Sequence, residues 1–361
     1  MSSRCSFLLQ RRSFFTTIAT STIRSFSPVS IPRSFSTATT TTARRRPHLE
    51  QTATSPRSHQ LYSPVILVST RAISPTVRLL RFRSITGSEA TAALALAGLP
   101  RIALPETDFN HSNDEPIAYE AGQWVDLAVP EERRVGGYSI VSIPDAPPTL
   151  LKYIDSAPSS SSSGYFFDLA IKLSLAPTAI WAHKAEIGSI ASVRVGGAFS
   201  LKNTLLTTTT TANHNGGCPG QWRVSQIIFF AGGVGINPIF AMLLSLAAAR
   251  LRGDLNTPRA TLFYTAATVD ELLFHKELKA LAKGPLAGVL DLKMAVTRQV
   301  PPPIDDTITS GRFFPGHAIS NVMVEETAVV ICGPPSMADA VAAAANNAGI
   351  NKANVILEKW W

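Results

Sequence analysis

The sequence predicts two folded parts in series: an antiparallel β-barrel or sandwich, then a doubly wound α/β domain with a parallel sheet. Between residues 63 and 201, six short runs rich in β-branched and aromatic residues are bounded by Gly, Pro or Ser, which is typical of antiparallel sheets. From Trp222 onward, strand-like and helix-like segments alternate, which is typical of a parallel sheet covered by helices. A chain of 361 residues with 45% hydrophobic residues can bury two such cores.

The predicted elements follow from these runs. The strands of the first part are PVILVSTRAIS, TVRLLRFRS, GQWVDLAV, GYSIVSI, YFFDLAIKLS and IASVRVGG. In the second part, strands are predicted over residues 227–231, 260–266, 289–296, 328–332 and 354–358, and helices over 238–250, 269–282 and 335–347. Low-complexity stretches at 84–115, 156–164, 204–220 and 300–316 are interpreted as loop insertions. The predicted domains span residues 60–203 and 222–361.

The segment FFAGGVGINPIF, residues 229–240, holds three glycines, an asparagine and a proline between two apolar stretches. The uncharged run around it, residues 225–249, is long enough to cross a bilayer. Glycines and a proline at its midpoint would leave backbone groups that lipid cannot satisfy, which argues against a transmembrane segment. The pattern favours a strand, a tight turn and a helix, with Asn237 as N-cap and Pro238 as the first helical residue. Such a turn suits a phosphate group; a purely structural turn and a membrane helix are the alternatives.

The formal charge of +8 belongs to the N-terminus. Residues 1–49 contain eight arginines and no Asp, Glu or Lys, and the rest of the chain has 25 basic and 25 acidic residues, so nucleic acid is not an expected partner. Residues 1–50 are predicted to be a mitochondrial presequence and a disordered segment, with cleavage after Phe35 in Arg33-Ser34-Phe35-Ser36 and a second candidate at residues 24–27. The alternative is a disordered basic tail.

The cysteines exclude two classes of metal centre. The chain has three, Cys5 in the predicted presequence, Cys218 in a Gly-rich stretch and Cys332 at a predicted strand end. Three cysteines cannot supply four thiolates to an iron–sulfur cluster, and their spacing is not that of a zinc site. No metal is therefore expected.

Two loops leave predicted strand ends with unusual chemistry, at residues 232–238 and 332–337. If the strands are parallel, both loops lie at the same edge of the sheet, where open α/β sheets bind ligands. These motifs, Gly-Gly-x-Gly-x-x-Pro and Cys-Gly-Pro-Pro-x-Met, together with LFYTAATVDELLFHKEL and a terminal aromatic residue, resemble the ferredoxin–NADP reductase superfamily over residues 60–361. The combination of VGGYSI, PTAIWAHK, RVGGAF and EKWW most resembles the oxidoreductase NAD-binding domain-containing protein 1 group. The resemblance implies an FAD-binding barrel followed by an NAD(P)-binding domain.

The resemblance also implies roles for individual residues. The residues implied to face the cofactor pyrophosphate are Gly232, Gly233, Gly235 and Pro238, and those implied to lie beside the nicotinamide are Cys332, Gly333 and Pro334. Tyr138 would pack on the flavin, the Ser139 hydroxyl would reach toward flavin N5, and Trp361 would cover the flavin ring. Ser139 and Cys332 are the predicted catalytic residues. The alternatives are a buried strand aromatic for Tyr138, a small buried hydrophobe for Cys332 and solvated barrel residues for His183 and Lys184.

Two departures from the superfamily pattern concern FAD. Gly136 stands where the Arg-x-Tyr-Ser motif has its arginine, with Arg134 two residues too early, and residues 176–179 replace the Gly-x-x-Ser turn. Both changes remove groups that would hold the FAD pyrophosphate. Two functions are therefore predicted: a mitochondrial flavin-linked NAD(P)H oxidoreductase that passes hydride from nicotinamide C4 to flavin N5 and on to an unknown acceptor, or a non-catalytic NAD(P)H-binding module that has lost FAD. Ala267, where an arginine often binds the 2′-phosphate of NADPH, predicts a weak preference for NADH.

Overall fold

A computed structural model of the chain describes residues 62–98, 117–130, 135–144, 146–153, 165–201, 205, 223–299, 307–320 and 322–359. The predicted presequence, Arg134 and both terminal tryptophans lie outside these residues. The described residues contain two six-stranded sheets. The strands of the first sheet fall between Ser63 and Gly196, and those of the second between Gln226 and Glu358.

The first sheet is antiparallel and closes on itself. Its strands are β1 (Ser63–Ser74), β2 (Val77–Ser84), β3 (Trp124–Ala128), β4 (Gly136–Ser139), β5 (Phe166–Lys172) and β6 (Ile190–Gly196), in the order β4-β3-β6-β1-β2-β5. An antiparallel bridge joins Ile140 to Leu169, and the Val141 N–H donates to the Asp168 carbonyl oxygen at 2.9 Å. Because this bridge connects the two ends of the strand order, the sheet is a small barrel, which confirms that prediction over the sandwich.

Within the described part of the chain, three helices with defined bounds accompany the barrel: α1 (Gly87–Leu96), α2 (Pro148–Leu151) and α3 (Pro177–Lys184). The first of them corrects the interpretation of residues 84–115 as a loop insertion. Thr86 accepts the Glu89 N–H at 3.2 Å, and Glu89 accepts the Thr86 N–H at 2.8 Å. This reciprocal capping box satisfies two N–H groups that the start of a helix leaves unpaired, so the Ala-rich run that follows is helical.

The second sheet is parallel throughout, as predicted. Its strands are β7 (Gln226–Gly232), β8 (Arg259–Ala266), β9 (Leu290–Val296), β10 (Ile308–Ser310), β11 (Thr327–Cys332) and β12 (Val355–Glu358), in the order β10-β9-β8-β7-β11-β12. The chain runs outward from β7 to β10 and then returns to β11 on the other side of β7. The junction between β7 and β11 is therefore the topological switch point, where sheets of this kind bind their ligands.

Helices cover both faces of this sheet: α4 (Ile236–Leu251) and α5 (His275–Lys283) on one, α6 (Pro315–Ile319) and α7 (Pro335–Asn347) on the other. The predicted helix over 269–282 is divided into a 3₁₀ turn, Val269–Glu271, and α5. Phe274 between them has φ 58°, and its ring stacks on Phe240 with centroids 4.3 Å apart. Thr268 makes no side-chain cap, contrary to the capping box that the sequence pattern predicts.

Helix α4 is a core helix. Of the described residues, the segment Gly233–Leu251 alone is long and apolar enough to span a membrane, and 72% of its most apolar window is buried in the protein. One hydrophobic cluster joins the α4 residues Ile239 and Met242 to Leu79 and Phe199 of the barrel part and to Phe229 of the parallel sheet. The apolar length that raises the membrane alternative is thus accounted for by burial between the two sheets.

Candidate nucleotide-binding site

The two predicted turns meet at the switch point. Gly232 ends β7 and Cys332 ends the neighbouring strand β11, and Ala231 is paired with Cys332 in the register. A Cβ placed on Gly333 would lie 2.9 Å from the Gly232 nitrogen and 3.0 Å from its Cα. The two turns therefore touch backbone to backbone, and glycine is required on both sides of the contact.

Gly235, at the other end of the first turn, also packs closely against the backbone of the second turn. A Cβ at this position would overlap the carbonyl oxygen of Cys332 and lie 2.8 Å from the Gly333 nitrogen. Pro334 closes over the pair, with its Cδ 2.5 Å from the Cβ position of Gly232. Packing thus explains why glycine is needed at three of the predicted site residues, Gly232, Gly235 and Gly333.

Gly233 forms the open tip of the turn. Its φ is +55°, and no atom of the described residues lies within 4 Å of its Cβ position, while the neighbouring Val234 is 38% exposed. Glycine is the residue that adopts this backbone conformation without strain and lets another molecule approach the backbone closely. Of the turn's glycines, this is the one that faces free space in front of the helix.

Helix α4 begins earlier than the sequence predicts. The segment Gly233–Gly235 is a 3₁₀ turn, Gly235 is the N-cap with no side-chain hydrogen bond, and Pro238 is the third helical residue rather than the first. Asn237 is not the cap, because its amide nitrogen donates to the Ala170 carbonyl oxygen of β5 at 2.8 Å. The Ile236 N–H already donates to the Gly233 and Val234 carbonyl oxygens, so the amino end of the helical run lies in the turn Gly233–Gly235, where the positive end of the helix dipole favours a negatively charged group.

The carboxyl end of β12 adds a residue that the sequence analysis did not assign. Glu358 is paired in register with Cys332 and is 4% exposed, and its Oε1 has no hydrogen-bond partner among the residues that the structure describes. Burial raises the pKa of this carboxyl to about 8, so it holds its proton at neutral pH. The signal in the sequence was a lone glutamate closing an apolar strand in VILEKWW. Cys332 itself is fully buried.

Glu358 is expected to lower stability as the pH rises from about 4.5 to about 8. The unfolded carboxyl ionises near the ordinary pKa of 4.5 and the folded one near 8, so over this window the unfolded state binds fewer protons and the free energy of unfolding falls. The slope from one such group is about 1.4 kcal/mol per pH unit. In urea denaturation across this range, the free energy of unfolding of Glu358→Gln relative to that of wild type should increase with pH at about that slope. The exposed control Glu325→Gln should follow wild type, and parallel curves for wild type and Glu358→Gln would contradict the assignment.

The barrel brings the other predicted catalytic residue toward the turns. Ser139 ends β4 and is 7% exposed, and the next residue, Ile140, bridges to Leu169 of β5. The residue after Leu169 is Ala170, whose carbonyl oxygen accepts the Asn237 amide just beyond the glycine turn. The end of β4 and the start of α4 therefore both contact β5, at the adjacent residues Leu169 and Ala170. The predicted Trp361 lies outside the described residues.

The loop after β8 carries negative charge. Tyr264 is fully buried, and its hydroxyl donates to the Glu271 carbonyl oxygen at 3.2 Å and accepts the Leu273 N–H at 2.9 Å. Burial raises the pKa of Tyr264, so the hydroxyl stays protonated and holds the loop in place. The loop presents an exposed Asp270, and the Glu271 carboxylate lies 3.4 Å from Lys172 Nζ.

Comparison with solved structures defines the class of protein. The cytochrome b5 reductase domain of Ulva prolifera nitrate reductase matches with TM-score 0.54 and 18% identity, over 82% of this chain and 96% of that domain. A ferredoxin NADP+ reductase from Neisseria gonorrhoeae with bound FAD and NADP matches with TM-score 0.52 and 14% identity, over 83% and 99%. The barrel followed by a parallel sheet is thus the fold of the FAD- and NAD-binding ferredoxin-reductase-type proteins.

Sequence comparison identifies the family. Residues 229–343, which include both turns, match the oxidoreductase NAD-binding domain. A relative from Xenopus tropicalis, oxidoreductase NAD-binding domain-containing protein 1, is 30% identical over 254 residues, which are 68% of this chain and 71% of that protein. The chain belongs to the oxidoreductase NAD-binding domain-containing protein 1 family.

The residues present fit one of the two cofactors that this fold accommodates. A nicotinamide dinucleotide fits, because the paired glycine turns leave an open backbone tip at the start of α4. The FAD diphosphate does not fit, because Tyr138 and Thr178 fill the space beside Gly136 and share a hydrogen bond of 2.7 Å. Across the described residues there is no group of three or more His, Cys, Asp or Glu that could hold a metal.

Proposed function

We propose that the chain binds NADH across the paired turns and acts as a reduced-nicotinamide-dependent oxidoreductase. The observation that carries the proposal is the backbone contact between Gly232 and Gly333 at the switch point, with Gly233 open in front of α4. The match of the oxidoreductase NAD-binding domain over residues 229–343 supports it.

Each part of the site has a task in this proposal. A bound reduced nicotinamide supplies a hydride. The turn Gly233–Gly235, at the positive end of the α4 dipole, holds the pyrophosphate, and Gly233 lets it approach the backbone. The closely packed second turn, with Cys332 and Pro334, fixes the position of the ring, and the buried Glu358 keeps a protonated carboxyl at the neighbouring strand end.

The prediction of hydride transfer from nicotinamide C4 to flavin N5 stays a prediction. The buried Ser139 at the end of β4 favours it, whereas the closed space beside Gly136 disfavours FAD. The alternative is a non-catalytic NAD(P)H-binding module. NADH oxidation followed by absorbance, with ferricyanide or menadione as acceptor, separates the two. Binding together with acceptor-dependent oxidation supports the enzyme, binding alone supports the module, and no binding contradicts both.

NADH is expected to bind at least as well as NADPH. The loop after β8 offers Ala267 where an arginine would hold the 2′-phosphate, and the Thr265 hydroxyl faces the Ala231 carbonyl oxygen at 3.5 Å. Asp270 would repel that phosphate, and the missing bidentate contact is worth up to about 3 kcal/mol. The measurement is a competition between the two cofactors at low and high salt, since salt screens exposed lysines such as Lys276. A preference for NADPH that survives high salt would reveal a phosphate site elsewhere.

The protein is proposed to work in mitochondria and to lose roughly its first 35 residues on import. The support is the arginine-rich, acid-free composition of residues 1–49. N-terminal sequencing of the protein from isolated mitochondria should find a start after Phe35 or at the alternative site near Phe26. An intact Met1 terminus, or a purely cytosolic distribution, would contradict this proposal.

A further inference from the structure

We infer that the barrel does not retain FAD. This inference rests on the proposed function and deepens it, because it removes a resident flavin from the proposed NADH site. It concerns the groove between the start of β4 and the start of α3, where the superfamily pattern places its two flavin phosphate motifs.

The first observation is that protein atoms fill this groove. A Cβ at Gly136 would overlap the Thr178 hydroxyl and lie 2.7 Å from Tyr138 Cε2. Thr178 is 2% exposed, and its hydroxyl shares the 2.7 Å hydrogen bond with the Tyr138 hydroxyl. An arginine at position 136 has no room, and the two motifs contact each other instead of flanking a diphosphate.

The second observation is that α3 offers little to an anion. Its first residue, Pro177, has no N–H to donate. The N–H groups of Ala179 and Ile180 both donate to the Ala176 carbonyl oxygen, at 2.9 and 3.0 Å. The described basic residues of this helix, His183 and Lys184, lie in its last turn, at the opposite end.

The test begins with the flavin content of the full chain after gel filtration in excess FAD. We expect no stoichiometric FAD and no yellow absorbance bands, while calorimetry on the same preparation still detects NADH. Retained stoichiometric FAD beside intact NADH binding would overturn the inference and leave the proposed function standing. Loss of NADH binding would instead contradict the proposed function.

A gain-of-binding variant tests the cause. Gly136→Arg combined with Thr178→Ala removes the overlapping hydroxyl, releases the Tyr138 ring from its hydrogen bond so that it can turn away from position 136, and restores a guanidinium. It should tighten FAD binding about tenfold or more, as expected for one bidentate charged contact. Thr178→Ala alone is the matched control and should leave FAD binding unchanged. If the double variant does not fold, the wild-type flavin content decides.

Discussion

Gly235→Ala is expected to destabilise the protein by about 3 kcal/mol or more and to abolish NADH binding. The backbone of Gly235 has ordinary helical angles, φ −63° and ψ −11°, so the effect comes from space alone. The new Cβ would overlap the Cys332 carbonyl oxygen, and backbone at the end of a central strand cannot move aside. Urea denaturation and calorimetric NADH titration measure the two effects.

Gly233→Ala is the matched control for this variant. No atom lies within 4 Å of its Cβ position, so it should cost only the strain of a positive φ, about 1 kcal/mol. Equal losses of stability for the two alanine variants would show that Gly235 does not hold the turns together.

Gly233→Val is expected to weaken NADH binding by at least about tenfold, or about 1.4 kcal/mol, with only modest destabilisation. Its branched side chain would occupy the free space in front of α4 where the pyrophosphate approaches the backbone. Calorimetric titration with NADH and NADPH measures the loss, and thermal unfolding shows whether the barrel and the sheet stay folded.

Gly288→Val controls for backbone strain. Gly288 also has a positive φ, +71°, with nothing within 4 Å of its Cβ position, but it lies before β9 at the amino ends of the strands. It should lose similar stability and keep wild-type affinity. Equal NADH affinity in the Gly233→Val and Gly288→Val variants would place the site elsewhere.

The strands were predictable because they carry their own pattern. The run IASVRVGG and the run around residues 227–231 alternate or concentrate β-branched residues between glycines, and the observed strands β6 and β7 match them within two residues. Strand β10 was missed because it has three residues after a Pro-rich stretch, too few for a periodic signal. Helix α1 was missed although its Thr86–Glu89 capping box is visible in the sequence.

Tertiary contacts determine the features of the fold and the site that local sequence patterns did not predict. Asn237 followed by Pro238 has the local form of a cap, but its amide is used to bond Ala170 across to the barrel. Thr268 and Glu271 have the spacing of a capping box, but the Glu271 carboxylate lies beside Lys172 instead. The pairing of the two turns was predictable from parallel topology, whereas the buried Glu358 and the closed groove beside Gly136 depend on neighbours distant in sequence.

Hydrogen exchange of the full chain with and without NADH tests the central claim most directly, because it locates the cofactor on the backbone. We expect NADH to slow exchange in the two turns, residues 232–238 and 332–337, and to leave the groove around Gly136 and Thr178 unchanged. Protection elsewhere in the chain with no change at either turn would contradict the account.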